Sequence, residues 1–221
     1  MSYFKKFGTL ETNYSQFEVD GTYKANGTAT TFDDVRVSGL GVVKQGSADP
    51  GFALFKEDGA GSHGVFLNWF DPNDEEEVFF AIQLPHHYKE GTSIYPHVHW
   101  VPANDGGLGE FVKWGLEYTW ANIDEVHNNN TQIVYTDASA ALTATTSGDG
   151  TMAKDKHYVS EFSSIAQTPQ STNGTISSML ICRLFRNATD ATDDFPHDAG
   201  LLEIDFHIEQ DTLGSRSAWL K

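Results

Sequence analysis

Residues 111–123 read FVKWGLEYTWANI, and this stretch decides the fold. Every second residue from Val112 to Trp120 is large and apolar, while the residues between them are small, polar or charged. Successive side chains of a β-strand point to opposite faces of a sheet, so this alternation predicts a long strand with one buried face. Helical periodicity is hard to find anywhere in the chain, which makes an all-β protein the expected class.

Residues 201–209 read LLEIDFHIE and predict a second strand with two different faces. The predicted core face consists of Leu202, Ile204, Phe206 and Ile208. The predicted outer face is ionisable and consists of Glu203, Asp205, His207 and Glu209. A strand of this composition packs on a core with one face only.

Seven further stretches predict strands, because each lies between clusters of Gly, Asn, Asp and Pro that favour turns. They are Phe52–Phe55, Val65–Trp69, Val78–Leu84, Ser93–Val101, Gln132–Thr136, His157–Ile165 and Ile176–Arg186. About nine strands joined by such turns predict a single β-sandwich, for which we expect a jelly-roll topology.

The chain has 221 residues and carries 31 Asp and Glu against 14 Lys and Arg, a formal net charge of -17. Nucleic acids and anionic membrane surfaces are bound through Lys and Arg, so we expect this chain to bind neither directly. The single cysteine, Cys182, excludes an intrachain disulfide. Because Cys182 lies in an apolar stretch, we expect it to be a buried core residue.

Residues 1–50 differ from the rest of the chain in charge and in patterning. They hold six acidic and five basic side chains, so 25 of the 31 acidic side chains lie in residues 51–221. Their aromatic residues are scattered and do not alternate. This predicts an N-terminal arm over residues 1–50 that packs on a partner, followed by the sandwich domain over residues 51–221. The alternative, which the sequence leaves open, is that residues 1–50 supply edge strands to the same sandwich.

No apolar run has the length of a signal peptide or a membrane span, so we expect a soluble protein made in a cytoplasm.

His97 and His99 stand two residues apart in a predicted strand, so both imidazoles face the same way. If the strand over residues 201–209 were their neighbour, Asp205 and His207 could join them in a two-histidine, one-carboxylate site for Zn, Fe or Mn. Such a site is the basis of one hypothesis, a metal-dependent enzyme of the cupin type.

The spacing of the next carboxylate argues against that hypothesis. A cupin-type enzyme would place a Glu a few residues after its His-x-His, whereas here the next one is Glu110, beyond a turn. We therefore expect structural histidines, no bound metal and no cofactor. The weak ligand candidates are His97, His99, Asp205 and His207.

Other catalytic motifs are missing from the sequence. It contains no Gly-x-Ser-x-Gly elbow, and the glycines at 39–41 and 106–109 do not lie between a strand and a helix. The acidic residues at 71–77 lack the spacing of a calcium loop and are interpreted as a solvated turn. We expect the protein not to be an enzyme.

Three segments resemble a family of structural proteins encoded among the head and tail genes of tailed bacteriophages. They read QLPHHYKEGTSIYPHVHW at 83–100, VKWGLEY at 112–118 and DAGLLEIDFHIEQDTLGSR at 198–216. The resemblance extends from about residue 32 to the C-terminus. It implies a virion protein without catalytic residues, for which we expect the role of a capsid decoration or cement protein.

A decoration protein would lie on the capsid surface after synthesis in the host bacterial cytoplasm. Its expected partners are the major capsid protein or other virion proteins and further copies of itself, with a homotrimer preferred. The alternative is a tail-spike, fibre or receptor-binding sandwich that stacks glycans on Trp69, Trp120 and Tyr135.

Overall fold

The computed structural model describes residues 6–9, 12–127, 131–136, 151–166 and 172–221. Within these residues the chain forms thirteen strands and no helix, and every pairing between strands is antiparallel. The strands are β1 (Lys6–Thr9), β2 (Asn13–Phe17), β3 (Tyr23–Asn26), β4 (Thr31–Ser38), β5 (Gly51–Lys56), β6 (Val65–Phe70), β7 (Glu77–Gln83), β8 (Ile94–Pro102), β9 (Trp114–Ala121), β10 (Gln132–Tyr135), β11 (Tyr158–Glu161), β12 (Met179–Arg186) and β13 (Ala199–Gln210).

Two sheets face each other across one core. The first has the order β10-β9-β12-β7, and the second has the order β11-β8-β13-β6-β5, with β4 also paired to β13. Aromatic side chains meet between the sheets: the ring centroids of Phe80 and Phe206 are 6.1 Å apart, and those of Trp100 and Trp114 are 6.4 Å apart. The predicted all-β sandwich is confirmed.

The order of the strands bears on the predicted jelly roll. When β6 to β13 are counted from one to eight, they follow the order 1-8-3-6 in one sheet and 2-7-4-5 in the other. This order is compatible with a jelly roll, which has two facing four-stranded sheets. The jelly-roll topology itself stays a prediction.

The stretch over residues 111–123 supplies β9, and its predicted core face is confirmed. Its large apolar side chains are all at most 2% exposed, and they are Val112, Trp114, Leu116, Tyr118 and Trp120. The indole N–H of Trp120 donates to Ser178 Oγ at 2.9 Å, so its one polar group is satisfied inside the core. Cys182 lies in the same core, as the sequence predicts.

The prediction for Leu202 is wrong. The register of β13 against β8 shifts between Leu201 and Glu203, so Leu201 is the residue that is fully buried and Leu202 is only partly buried. A bulge of this kind inserts one residue and resets the alternation. Beyond it, Ile204, Phe206 and Ile208 face the core as predicted.

The N-terminal residues are divided between two sheets. β1, β2 and β3 form a separate three-stranded sheet, which meets the sandwich where Ala25 N–H donates to the carbonyl of Asp211. β4 pairs with β13 from Ser38 opposite Glu203 to Thr31 opposite Gln210, so it is an edge strand of the larger sheet. The boundary of the predicted arm at residue 50 stays a prediction. β4 precedes this boundary, although it pairs with β13 of the larger sheet.

Candidate functional site

The histidines of β8 and the carboxylates of β13 lie on the outer face of the larger sheet. β8 and β13 are neighbours, with His97 opposite Asp205 and His99 opposite Glu203. The inward residues on both strands are apolar and buried, so the alternation of each strand turns these four side chains outward. The candidate metal site depends on β8 and β13 being neighbours, and this condition is met.

Three of the four weak ligand candidates form one cluster. Asp205 Oδ2 lies 3.4 Å from His97 Nε2 and 3.2 Å from His99 Nε2, and one ligand atom from each residue lies within 4.8 Å of the other two. The Asp205 side chain is only 5% exposed, whereas both imidazoles are partly exposed. We call these three residues the triad.

Asp205 and His97 stabilise each other's charged forms. Burial works to raise the pKa of Asp205, but the contacts with His97 and His99 outweigh it and hold this pKa well below its usual range. Burial works to lower the pKa of His97, but the hydrogen bond and charge of Asp205 outweigh it and raise the pKa above 6.5. Asp205 is therefore a carboxylate that stays ionised although it is buried.

His157 is a further neighbour of the triad, and the sequence pattern does not indicate it. Its Nε2 lies 2.7 Å from His99 Nδ1, and the two ring centroids are 4.9 Å apart. Burial, and then the nearby His99, lower the pKa of His157, which favours its neutral form. His157 comes directly before β11, and no local pattern marks it. Only the pairing of β11 with β8 brings it to His99.

His207, the fourth weak candidate, lies beside the triad and has partners of its own. Its Nδ1 is 2.6 Å from Asp34 Oδ1, and its ring stacks on Phe32 with centroids 4.8 Å apart. Its ring centroid is 6.2 Å from that of His97. The structure therefore places His207 in a separate pair with Asp34.

Two open grooves flank the triad. One, of about 450 Å³, is lined by Phe32, Tyr95, Pro96, His97, Val159, Glu161, Phe162 and His207. The other, of about 550 Å³, is lined by Asp33, Asp34, Arg36, His99, His157, Leu202, Glu203 and Asp205. Arg36 and Glu203 form a bidentate ion pair at 2.8 and 3.1 Å beside the triad. A small ion or molecule can therefore reach the triad from solvent.

Glu110 takes no part in this site. Its Oε2 accepts the backbone N–H of Gly107 at 2.7 Å, within the turn that precedes β9. This agrees with the interpretation that its spacing does not fit a cupin-type ligand set.

The aromatic residues suggested for stacking glycans do not form one platform. Trp120 is fully buried in the core, so the expectation that it is available at the surface is wrong. Trp69 and Tyr135 lie on β6 and β10, which belong to different sheets. Their positions count against a shared sugar site.

The fold and the triad define a class of protein: an antiparallel β-sandwich that carries a histidine–carboxylate cluster on an outer sheet face. Among the described residues, no helix is long and apolar enough to cross a membrane. Comparison of the chain with protein families, curated proteins and solved structures found no match.

Proposed function

We propose that this protein is a non-enzymatic structural protein of a bacteriophage virion, and that it decorates the outside of the capsid. The three segments that resemble phage structural proteins support the assignment to the class of virion proteins. The observation that carries the proposal is an apolar edge strand, β5, which leaves an association surface exposed. In the proposal, copies of the protein contact one another through β5, and the N-terminal segment contacts the capsid.

β5 has the composition of an interface rather than of a protected edge. Among the described strands it pairs only with β6, so one side of its backbone is unpaired. Phe52 is 60% exposed, and its ring stacks on Phe66 of β6 with centroids 5.5 Å apart. Leu54 lies directly opposite Phe66 and is also exposed. Soluble monomers usually protect such edges with charges, bulges or a covering segment; β5 has a bulge between Leu54 and Lys56, but the exposed residues before it, from Phe52 to Leu54, are apolar.

A second copy of the chain is the occupant proposed for β5. A trimer, which we prefer, closes when β5 of one copy packs against a different surface of the next copy around a threefold axis; pairing of β5 with β5 would give a dimer instead. In either arrangement the neighbouring copy covers the exposed apolar side chains of β5.

The N-terminal segment is the part proposed to contact the major capsid protein. The sheet β1–β3 exposes Phe7 and Phe17. Residues 1–50 carry six acidic and five basic side chains, whereas most of the net charge of -17 lies in residues 51–221. A near-neutral, aromatic sheet suits a protein contact, and an acidic body facing solvent keeps crowded particles from aggregating.

Electron microscopy of purified particles of the phage that encodes this protein tests the proposal. We expect density for the sandwich on the outer surface of the head, in symmetric groups, with the β1–β3 sheet towards the capsid lattice. Density at the tail tip or on a fibre would replace the proposal with the receptor-binding alternative. Absence of the protein from purified particles would reject a virion role.

A further inference from the structure

Two of the three distances within the triad match those between the ligands of a tetrahedral metal ion. Zn²⁺ binds His N and carboxylate O at about 2.0–2.2 Å, which places neighbouring ligand atoms of a tetrahedron roughly 3.3–3.5 Å apart. The two distances from Asp205 Oδ2 to the imidazole Nε2 atoms are 3.4 and 3.2 Å. The ligand atoms of all three residues lie within 4.8 Å of one another, so a cation that binds the carboxylate and both rings requires the imidazoles to rotate towards each other.

Two buried polar atoms of the triad lack a hydrogen-bond partner among the described residues. They are Asp205 Oδ1 and His99 Nε2. His99 Nε2 is close to Asp205 Oδ2, but the pair is not aligned as a hydrogen bond. Burying polar atoms without partners costs free energy. A metal ion bonded to His99 Nε2 would give that atom a partner, and a carboxylate bound through both oxygens would do the same for Asp205 Oδ1.

The second nitrogen of each imidazole faces an outer partner. His99 Nδ1 lies 2.7 Å from His157 Nε2, and His97 Nδ1 lies 3.5 Å from the carbonyl oxygen of Tyr95. When Nδ1 donates its proton to such an acceptor, the lone pair of Nε2 is free to bind a metal. Histidine ligands in metal sites are typically oriented in this way.

The groups around the triad favour a cation of intermediate softness. Asp205, Glu203 and Asp34 contribute negative charge, and Arg36 is already paired with Glu203. The other titratable groups that face the triad are His157, His207 and Glu161. Two imidazoles and one carboxylate suit Zn²⁺ and its first-row neighbours, whereas Ca²⁺ and Mg²⁺ prefer ligand sets made of oxygen.

We infer that His97, His99 and Asp205 bind one Zn²⁺ per chain, with the fourth coordination position open to the adjoining grooves. Three protein ligands and one exchangeable position are the arrangement in which zinc can bind a water molecule or an external ligand. His157 is a positioning residue in this site, since it acts through His99. The inference does not depend on the virion proposal, because the ligands belong to a single chain.

Zinc titration of the chelator-treated full-length protein tests the inference. Isothermal calorimetry with ZnCl₂ should give one saturable site per chain, and Zn²⁺ should raise the melting temperature. Co²⁺ should give the intense visible absorption of a four-coordinate site, and Zn²⁺ should displace it. Ca²⁺ and Mg²⁺ at the same concentrations should produce none of these effects.

Variants separate the triad from adventitious binding by other histidines. Asp205→Asn and His97→Ala should each weaken zinc binding by more than 100-fold. His157→Leu should weaken it by roughly 10- to 100-fold, the effect typical of an outer-shell partner. His63→Ala is the matched control, since it removes an exposed loop histidine and should leave affinity unchanged. Circular dichroism checks that each variant is folded. If Asp205→Asn does not fold, His97→Ala provides the test.

Three outcomes would overturn the inference: no single saturable site in the parent protein, a loss of less than tenfold in the folded triad variants, or an equal loss in His63→Ala. In the first case the triad is a carboxylate that bridges two imidazoles and nothing more. None of these outcomes bears on capsid location, so failure of the zinc site and failure of the virion proposal are distinguishable.

Discussion

Arg186 is a charged residue that lies entirely within the core of the sandwich. Its Nε and Nη2 donate to the two carboxylate oxygens of Asp193 at 3.0 and 2.7 Å. The other N–H groups donate to the backbone carbonyls of Phe70, Phe195 and His197. Every donor of this guanidinium is therefore used, which is the condition under which a buried charge is tolerated.

Asp193→Ala is predicted to destabilise the protein by about 3–5 kcal/mol, because it leaves the Arg186 charge buried and unpaired. Urea unfolding followed by tryptophan fluorescence measures the change. Asp190→Ala is the matched control: Asp190 lies three residues away and pairs with Lys113 at the surface. Asp190→Ala should lower the free energy of unfolding much less. Equal losses of stability in the two variants would contradict the role given to Arg186.

Glu76 gives the stability of the protein a dependence on pH. Its Oε2 accepts the backbone N–H of Asp71 at 2.7 Å. Burial raises the pKa of Glu76 above 4.5, and the neighbouring Asp71 and Asp198 add to the rise. A carboxyl whose pKa is higher in the folded state holds its proton more tightly there. Its contribution to stability is thus present at low pH and is lost as the pH rises through the folded pKa.

Glu76→Gln is predicted to be more stable than the parent at pH 7, with the difference shrinking as the pH falls towards 4. The amide oxygen can still accept from Asp71 N–H, so the substitution removes mainly the ionisation. Chemical unfolding at a series of pH values measures the difference. Glu57→Gln, in an exposed loop, controls for the change in net charge. A difference independent of pH would show that ionisation of Glu76 is not its cause.

At the scale of elements, the hairpin of β5 and β6 contrasts with the central strands. β8 and β13 each have neighbours on both sides, and their inner faces are fully buried. β5 lies at the edge, and five of its six residues are exposed. β5 contributes no residue to the described core cluster, whereas β6 contributes Phe70, so the exposed apolar residues of β5 are better explained by contacts with another molecule.

Phe52→Lys is predicted to weaken self-association without destabilising the fold. Burying a large apolar side chain contributes about 1.5–3 kcal/mol, so its loss corresponds to roughly a 10- to 100-fold higher dissociation constant. Sedimentation equilibrium measures the association, and thermal unfolding checks the fold. The control is Ile181→Lys, which places the same charge on an exposed position of β12 in the other sheet. Unchanged association in Phe52→Lys would remove β5 from the interface.

At the scale of the whole molecule, the β1–β3 sheet and the sandwich are held together by few contacts between backbones. The contacts are the hydrogen bond from Ala25 N–H to Asp211 and the bridge between Lys24 and Thr212. The described core cluster contains no residue of β1, β2 or β3. β4, in contrast, pairs with β13 along eight residues.

A chain that begins at residue 29 is predicted to remain folded and to lose capsid binding. Its melting temperature should stay within about 4 °C of the parent, the shift that roughly 1 kcal/mol produces at this size. Co-sedimentation with capsids measures binding. A chain that begins at residue 46 is the comparison, since it also lacks β4 and should be clearly less stable. Undiminished binding by the chain from residue 29 would reject the docking role of the β1–β3 sheet.

The sequence by itself indicated the nine strands β5 to β13 and the buried face of β9 and of most of β13, whereas β1 to β4 were not predicted. The alternation of Val112 to Trp120 and of Ile204 to Ile208 is local, and the hydrophobic effect acts on it wherever the strand lies in the sheet. The prediction that Leu202 faces the core is wrong because it missed a bulge. A bulge depends on the partner strand, which the alternation of one strand does not encode.

Only the tertiary structure decided which strands are neighbours, and with them the composition of the triad. His97 and Asp205 are 108 positions apart in the chain, yet they face each other across β8 and β13. His157 reaches His99 through β11, and Asp193 meets Arg186 through a loop. The contacts of the triad arise from the pairing of distant segments, which the packing of the whole core selects and no local period specifies.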